Sequence, residues 1–188
     1  YSRNRELVAR VDGIELKVAP SVFHPRVFGS SPILARYLAS LDLQGKSFLD
    51  MGSGSGIVGI TAARAGARVT AVDVNEAAVK CASENAKAAG VDLECIHSDL
   101  FSALRGRKFD VIAWNPPFFP GIVRTPAEAA LYAGEDYMVI RRFAQDFPNC
   151  LNPNGRTPLV LSRDLDLSAW QGFFKRFQER AAVRWGRS

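Results

Sequence analysis

Cysteine, histidine and long apolar runs are scarce in this 188-residue chain, and each scarcity argues against a class of protein. The three cysteines are odd in number and widely spaced, which is typical of buried free thiols and not of a disulfide framework. The two histidines have no cysteine or histidine nearby at ligand spacing, so we expect no metal site. No apolar stretch approaches the roughly 20 residues that cross a bilayer, and the first residues carry no secretory signal pattern. These absences predict a cytoplasmic protein with no membrane partner.

The composition is that of a globular protein. Hydrophobic residues make up 47% and charged residues 23%, and the length suits one domain with a substantial core. The net charge of +5 favours acidic partners such as RNA. However, the basic residues are spread along the chain, and their excess towards the C-terminus is equally typical of a solvated helix face. Charge alone therefore leaves nucleic-acid binding open.

Two sequence patterns predict the fold class. Alternating apolar residues at 7–11 and 14–18 flank Asp12-Gly13, which predicts an N-terminal β-hairpin. Further along, short apolar strands alternate with helices, which is typical of an α/β fold with a doubly wound, mostly parallel sheet. The predicted strands are 47–49, 68–72, 91–96, 109–114, 158–161 and a sixth beginning at 181–185. The predicted helices begin at Ser31, which we take as an N-cap, at residue 57, at residue 76 with Asn75 as its cap, and at residues 136 and 168. The fourth runs over residues 136–150 and is expected to end near residues 152–155.

A glycine-rich turn joins the first predicted core strand to its helix. It reads Asp50-Met51-Gly52-Ser53-Gly54-Ser55-Gly56. Glycines there permit backbone conformations closed to other residues and let a ligand lie against the main chain, beside the positive end of the helix. We therefore predict that Gly52, Gly54 and Gly56 contact an adenosine-containing cofactor.

The glycine turn alone does not identify that cofactor, because residues 54–59 also fit the GxGxxG pattern of nicotinamide-dependent dehydrogenases. Asp73 ends the second core strand, where its carboxylate can accept hydrogen bonds from both ribose hydroxyls. Asp50 would repel a phosphate but suits a cationic ammonium and sulfonium, which favours S-adenosyl-L-methionine over NAD. After the third strand, Asp99 is placed to accept from the adenine amino group, with Leu100 against the ring, although Asp99 is also a plausible helix cap.

The strand at 109–114 is followed by Asn115-Pro116-Pro117-Phe118. Two prolines cannot donate to a sheet ladder, and the residue before a proline is driven to extended geometry. The strand must therefore end here, and Asn115 projects from its end together with rigid carbonyl groups.

These four residues suit the methylation of a planar nitrogen. An amide or aromatic amine delocalises its lone pair and attacks a sulfonium methyl group poorly. If the Asn115 side-chain oxygen and the Pro116 carbonyl accepted its N–H groups, electron density on the nitrogen would rise and its position would be fixed. Phe118, together with Phe119, would stack on the flat group. The alternative is a plain turn with Phe118 in the core.

Together these motifs resemble the class I S-adenosylmethionine-dependent methyltransferases, and more narrowly the HemK-like methyltransferase small domain group with an Asn-Pro-Pro-Tyr/Phe motif. The resemblance covers residues 22–162 and implies a Rossmann-like, seven-stranded sheet. It also implies the site residues: Asp50, Gly52, Gly54 and Gly56 for the methionine part, Asp73 for the ribose, Asp99 for the adenine, and Asn115, Pro116, Pro117 and Phe118 for the acceptor. One departure is that HemK-like enzymes usually carry an acid followed by a threonine before the first core strand, whereas residues 23–31 of this chain read Phe-His-Pro-Arg-Val-Phe-Gly-Ser-Ser.

We therefore expect an N-terminal hairpin and loop at residues 1–28 and a methyltransferase domain at 29–188. The predicted function is S-adenosylmethionine-dependent N-methylation of a planar amide or amino nitrogen. The acceptor is a protein glutamine or an exocyclic amine of an RNA or DNA base, because both nitrogens make the same demands on the site. Residues 131–136 follow a long loop and are expected to face the substrate. The alternatives are an NAD-dependent oxidoreductase and a non-catalytic RNA-binding module on the same fold.

Overall fold

The computed structural model describes residues 7–25, 29–125, 127–161 and 167–174, and its first element is the predicted hairpin. Strand β1 (Leu7–Val11) pairs antiparallel with β2 (Ile14–Val18). The turn residues Asp12 and Gly13 both have positive φ, at 48° and 80°, as a tight two-residue hairpin requires. Alternate hairpin side chains are buried, so one face of the hairpin packs against the rest of the protein.

A five-stranded parallel sheet forms the centre of the molecule. Its strands are β3 (Ser47–Met51), β4 (Arg68–Asp73), β5 (Leu93–His97), β6 (Phe109–Trp114) and β7 (Leu151–Arg156). Their spatial order is β5-β4-β3-β6-β7, and every pairing is parallel. The chain winds outward from β3 in both directions, so a crevice is expected at the carboxyl ends of β3, β4 and β6. The doubly wound α/β prediction is confirmed, whereas the described residues contribute five sheet strands rather than seven. The predicted strand at 181–185 lies outside these residues.

Five α-helices in the described part of the chain accompany the sheet: α1 (Ser30–Ala39), α2 (Ile57–Arg64), α3 (Glu76–Ala88), α4 (Met138–Asp146) and α5 (Leu167–Phe174). Asn75 caps α3 as predicted, since its side chain accepts from the Ala77 N–H at 3.0 Å. The N-cap of α1 is Gly29, not Ser31. The predicted helix at 136–150 is also shorter, because Asp136 and Tyr137 have positive φ and α4 begins only after them.

The edge strand differs from the prediction, which ended the fourth helix near residues 152–155 and placed a strand at 158–161. Strand β7 pairs irregularly with β6, because Phe109 lies opposite Leu151 while Val111 lies opposite Arg156. Extra residues therefore bulge out of the pairing, which an edge strand tolerates even with proline and glycine inside it. The predicted strand at 158–161 is reduced to a single bridge between Leu159 and Trp114.

The core consists of two apolar clusters. One contains Leu16 of the hairpin together with Leu38 of α1 and Ile60 of α2. The other contains Phe143 of α4 and Trp170 of α5. The hairpin therefore shares a core with the helices that follow it, and the domain boundary at residue 29 stays a prediction. None of the helices in the described ranges is long and apolar enough to cross a membrane.

Candidate active site

A cavity of about 630 Å³ lies at the carboxyl ends of β3, β4 and β6. It brings together most of the residues that the sequence predicted for the site. These are Asp50, Gly52, Gly54, Asp73, Asp99, Leu100, Asn115 and Pro117. The predicted residues Gly56, Pro116 and Phe118 are not among its lining residues. The roles of all eleven residues stay predictions.

Asp50 lies at the end of β3 and is only 2% exposed. The Gly59 N–H donates to its Oδ2 at 2.8 Å. Burial raises the pKa of Asp50 to about 7, against the opposing effect of the Gly59 hydrogen bond and with a smaller contribution from the charge of Asp73. A cation bound beside this carboxyl would favour its charged form, so Asp50 is suited to a positively charged ligand.

Gly59 packs too closely for any side chain. A Cβ there would lie 3.1 Å from Asp50 Oδ2 and 2.9 Å from the Leu93 side chain. The third glycine of the GxGxxG pattern is thus explained by the close approach of α2 to the sheet.

Asp73 ends β4 and holds the glycine-rich turn in place. Its Oδ2 accepts from the Gly54 N–H, and its Oδ1 accepts from the Asn75 N–H, both at 2.9 Å. Burial raises the pKa of Asp73, and these backbone hydrogen bonds oppose the rise. Each carboxylate oxygen can accept more than one hydrogen bond, so the fixed carboxylate can also receive hydroxyl groups from the cavity.

The three predicted cofactor glycines have different surroundings. All have positive φ, which L side chains rarely adopt. Around Gly54 there is open space, and a Cβ on Gly52 would make ordinary contact with Trp114. In contrast, a Cβ on Gly56 would lie 3.0 Å from the Ala82 Cα of α3. Close helix packing therefore accounts for Gly56, whereas Gly52 and Gly54 border the cavity.

The predicted adenine end contains an ion pair that the sequence did not suggest. Arg142 of α4 donates through Nη2 to Asp99 Oδ2 at 2.9 Å, and both side chains line the cavity. Leu100 is buried and has φ of +49°. Arg142 is far from Asp99 in sequence and belongs to no recognisable motif, so no sequence pattern indicated this ion pair.

Asn115 lies directly after β6, as the two prolines predicted. Its Nδ2 donates to Ser31 Oγ of α1 at 2.9 Å. Its Oδ1 is buried and has no hydrogen-bond partner among the residues that the structure describes. An unpaired buried amide oxygen is costly unless it receives a donor, so Asn115 is suited to accept an N–H group from a ligand in the cavity.

The aromatic residues of the motif face different surroundings. Phe118 is buried in the apolar cluster that contains Trp114. It meets Phe119 edge to face, with 6.4 Å between ring centroids, and Phe119 is 40% exposed. This placement is what the alternative interpretation, with Phe118 in the core, expects. The stacking of Phe118 on an acceptor stays a prediction.

The loop before α4 contributes Tyr132, Gly134 and Glu135 to the lining of the cavity, and the expectation that residues 131–136 face the substrate stays a prediction. The Ala133 N–H donates to the Phe119 carbonyl at 2.8 Å, which ties this loop to the Asn-Pro-Pro-Phe segment. The adjacent residues Asp136 and Tyr137 both have positive φ, at 52° and 57°. Glu135 and Met138 line the cavity beside them.

The charged residues that line the cavity are mostly acidic. The lining includes Asp50, Asp73, Asp99 and Glu135. Among the described residues that line it, Arg142 is the only lysine or arginine, and it is already paired with Asp99. Such a lining fits the ammonium and sulfonium of S-adenosylmethionine and would repel the phosphates of a dinucleotide.

Comparisons with known proteins agree with this geometry. The family model for the methyltransferase small domain matches residues 13–184. A putative protein N5-glutamine methyltransferase of Methanocaldococcus jannaschii is 35% identical over 162 residues, covering 83% of this chain and 80% of that protein. Ribosomal RNA small subunit methyltransferase C of Alcanivorax borkumensis is 32% identical over 154 residues, covering 80% of this chain but 43% of that protein.

Solved structures give the same result. A T. thermophilus 16S rRNA N2 methyltransferase, in complex with AdoMet and guanosine, superimposes with a TM-score of 0.71 at 27% identity. The match covers 92% of this chain and 45% of that structure. The chain thus spans less than half the length of these two rRNA methyltransferases, and most of the length of the putative glutamine methyltransferase.

Proposed function

This chain belongs to the methyltransferase small domain family, and we propose that it transfers a methyl group from S-adenosylmethionine to the planar nitrogen of a glutamine side chain in a protein. The observation that carries the proposal is the buried Oδ1 of Asn115, which borders the cavity and has no hydrogen-bond partner within the described ranges of the chain. The oxygen supplies an acceptor for an amide N–H, and the acidic lining supplies a place for a cation.

The acidic half of the cavity would hold the cofactor. Asp50 and the backbone at Gly52 and Gly54 would contact the methionine part, and Asp73 would accept the ribose hydroxyls. Asp99 and Leu100 would contact the adenine. When bound, S-adenosylmethionine supplies an electrophilic methyl group on its sulfonium.

The Asn115 end would hold the acceptor. Its Oδ1 accepts one N–H of the substrate amide, and the Pro116 carbonyl accepts the other, so the nitrogen is fixed and enriched in electron density. Pro117 and the buried Trp114 line this end and exclude water. The methylated nitrogen becomes acidic and loses its proton afterwards, so this arrangement requires no dedicated base.

A protein acceptor is supported by the rim of the cavity. Ile122, Val123 and Met138 line it and are 58%, 39% and 53% exposed, which is typical of a surface that contacts apolar side chains. Acidic residues and a paired arginine offer little to a phosphate backbone. The M. jannaschii relative is named a putative protein N5-glutamine methyltransferase, which corresponds to a glutamine acceptor.

A second acceptor is the exocyclic amine of guanine in RNA. The similarity to the rRNA methyltransferase with bound guanosine and the net charge of +5 favour this candidate. An oxidoreductase is disfavoured because the acidic residues that line the cavity oppose the phosphates of a dinucleotide. A non-catalytic RNA-binding module would not require a buried Asn115 oxygen that has no hydrogen-bond partner among the described residues.

Transfer of labelled methyl groups tests the proposal. The protein is incubated with S-adenosylmethionine labelled in the methyl group and a cell extract, and the product is divided between protease and nuclease digestion. We expect protease-sensitive label that exhaustive enzymatic digestion releases as N5-methylglutamine. Nuclease-sensitive label would favour the RNA acceptor. If calorimetry shows that the folded protein binds neither S-adenosylmethionine nor S-adenosylhomocysteine, the proposal fails altogether.

A further inference from the structure

We infer that Ser31 is a positioning residue that orients the Asn115 amide for the acceptor, an inference that rests on the proposed function. Ser31 Oγ lies 2.9 Å from Asn115 Nδ2, and both residues line the cavity. The two residues are 84 positions apart, so only the fold brings them together.

The orientation matters because the two ends of an amide have opposite hydrogen-bonding properties. With Nδ2 directed to Ser31, the Oδ1 atom is left to accept an N–H of the substrate. In the flipped orientation, Nδ2 would face the substrate N–H, donor against donor, and the acceptor nitrogen would lose its position. A hydroxyl that accepts from Nδ2 favours the productive orientation.

Ser31 is well placed for this role because it is in the first turn of a packed helix. Leu34 and Leu38 of the same helix are buried, and the Ile33 N–H donates to the Gly29 carbonyl at 3.3 Å. A side chain held on such an element keeps its position better than one on a loop. Helix α1 thereby contributes to the acceptor half of the site.

The neighbouring Ser30 provides a matched control. It is also buried, but its Oγ has no hydrogen-bond partner in the described part of the chain. Replacing it with alanine removes a hydroxyl of the same kind from the same helical turn, without touching Asn115. The pair separates the effect of one hydrogen bond from that of changing the helix terminus.

Methyl transfer into cell extract is measured for Ser31→Ala, Ser31→Thr and Ser30→Ala. We expect Ser31→Ala to lower the maximal rate at saturating extract by about tenfold to a hundredfold, because the acceptor nitrogen is misplaced. The affinity for S-adenosylmethionine by calorimetry and the melting temperature should stay close to wild type. Ser31→Thr should restore the rate to within about threefold of wild type, and Ser30→Ala should match it. A Ser31→Ala enzyme with the wild-type maximal rate would overturn the inference, as would an equal loss in Ser30→Ala.

A second measurement does not depend on methyl transfer. The side-chain amide signals of Asn115 in a ¹⁵N-labelled sample are identified by their loss in Asn115→Ala. We expect these signals to shift in Ser31→Ala and to stay in place in Ser30→Ala. Unchanged Asn115 signals in Ser31→Ala would overturn the positioning role even in an active enzyme. A wild type that transfers no methyl group, with the Asn115 signals responding to Ser31→Ala, would instead overturn the proposed function and leave the hydrogen bond established.

Discussion

At the scale of single residues, the buried carboxyl of Asp50 links stability to pH. Its pKa is 3.8 in an ordinary environment and is raised to about 7 by burial in the folded protein. Between these values the native state binds a proton that the unfolded state has lost, so the free energy of unfolding falls as pH rises from about 4 to about 7.

The first prediction concerns Asp50→Asn, whose side-chain oxygen can still accept from Gly59. The variant should lack this pH dependence, because asparagine does not titrate. Between about pH 5 and about pH 8 the wild type should lose roughly 2–3 kcal/mol relative to the variant, at about 1.4 kcal/mol per pKa unit. Urea unfolding of both proteins without ligand measures the difference. Stability curves that run parallel across this pH range would contradict the assignment.

The second prediction is for Asn115→Ala. The variant loses Oδ1, which has no hydrogen-bond partner among the described residues. Its rate of methyl transfer should fall by about 10²–10³, as is usual when one preorganised hydrogen-bonding group is removed from an active site. The affinity for S-adenosylmethionine should change by less than about twofold, because Asn115 is assigned to the acceptor. Asn149→Ala, at an exposed asparagine outside the cavity lining, is the control. Turnover near the wild-type level in Asn115→Ala would refute the assignment.

The sequence could predict a residue of the site where local chemistry determines its position. Two prolines fix Asn115 at the end of a strand, and the ends of β3 and β4 place Asp50 and Asp73 at the cavity. Ser31 could not be predicted, because its partner is distant in the sequence. Nor could the reason for Gly56, since the close approach of Ala82 depends on how two helices cross.

At the scale of elements, the glycine-rich turn combines a packing residue with ligand-facing ones. The third prediction compares Gly56→Ala with Gly54→Ala. A Cβ at position 56 meets the backbone of α3 at 3.0 Å, so Gly56→Ala should destabilise the protein by about 1–3 kcal/mol or more. Gly54→Ala meets open space and should cost only about 1 kcal/mol of backbone strain. However, Gly54→Ala should weaken S-adenosylmethionine binding, because residue 54 borders the cavity.

Urea unfolding and calorimetry distinguish the two glycine variants. A reversed pattern, in which Gly54→Ala is the less stable protein and Gly56→Ala the weaker binder, would contradict the assignment of Gly56 to packing and of Gly54 to the cofactor.

Helix α3 connects the hairpin to the glycine-rich turn through one buried side chain. Asn85 Oδ1 accepts from the Lys17 N–H at 2.9 Å. Its Nδ2 donates to the Lys17 carbonyl at 2.8 Å and to the Ser55 carbonyl at 2.9 Å. Three elements therefore depend on one amide that is 2% exposed.

The fourth prediction is that Asn85→Ala lowers the free energy of unfolding by about 2–4 kcal/mol, because it leaves several buried backbone groups unsatisfied. Lys87→Ala, at an exposed position of the same helix, should change it by less than about 0.5 kcal/mol. Urea unfolding measures both. A small loss in Asn85→Ala would mean that the hairpin is held by its apolar face alone.

Elements with strong local signals were predicted well, and those shaped by tertiary contacts were not. The Asp12-Gly13 turn, the Asn75 cap and strand β6 match their predictions. Strand β7 does not, because its pairing with β6 supports proline and glycine in a bulged edge. The late start of α4 follows from positive φ at Asp136 and Tyr137, which nothing in the local sequence requires.

At the scale of the whole molecule, overall charge and local charge have opposite signs. The chain carries a net charge of +5, while its cavity is lined by four acids and one paired arginine. The alternation of strands and helices predicted the parallel sheet, because parallel connections are almost always right-handed. The acidic character of the cavity followed from Asp50, Asp73 and Asp99, whereas the contributions of Glu135 and Arg142 could not be predicted, because these residues come from distant parts of the chain.

The fifth prediction uses salt to decide which of these charges controls substrate binding. A protein acceptor bound at the apolar, acidic mouth should be methylated with little salt dependence, changing by less than about threefold between about 50 mM and about 200 mM NaCl. An RNA acceptor held by 6–10 phosphate contacts would lose about 10³–10⁵ in affinity over that range. The measurement is the initial rate of methyl transfer at subsaturating extract, with S-adenosylmethionine saturating at each salt concentration. A steep decrease would assign the acceptor to RNA, and a flat response would support glutamine in a protein.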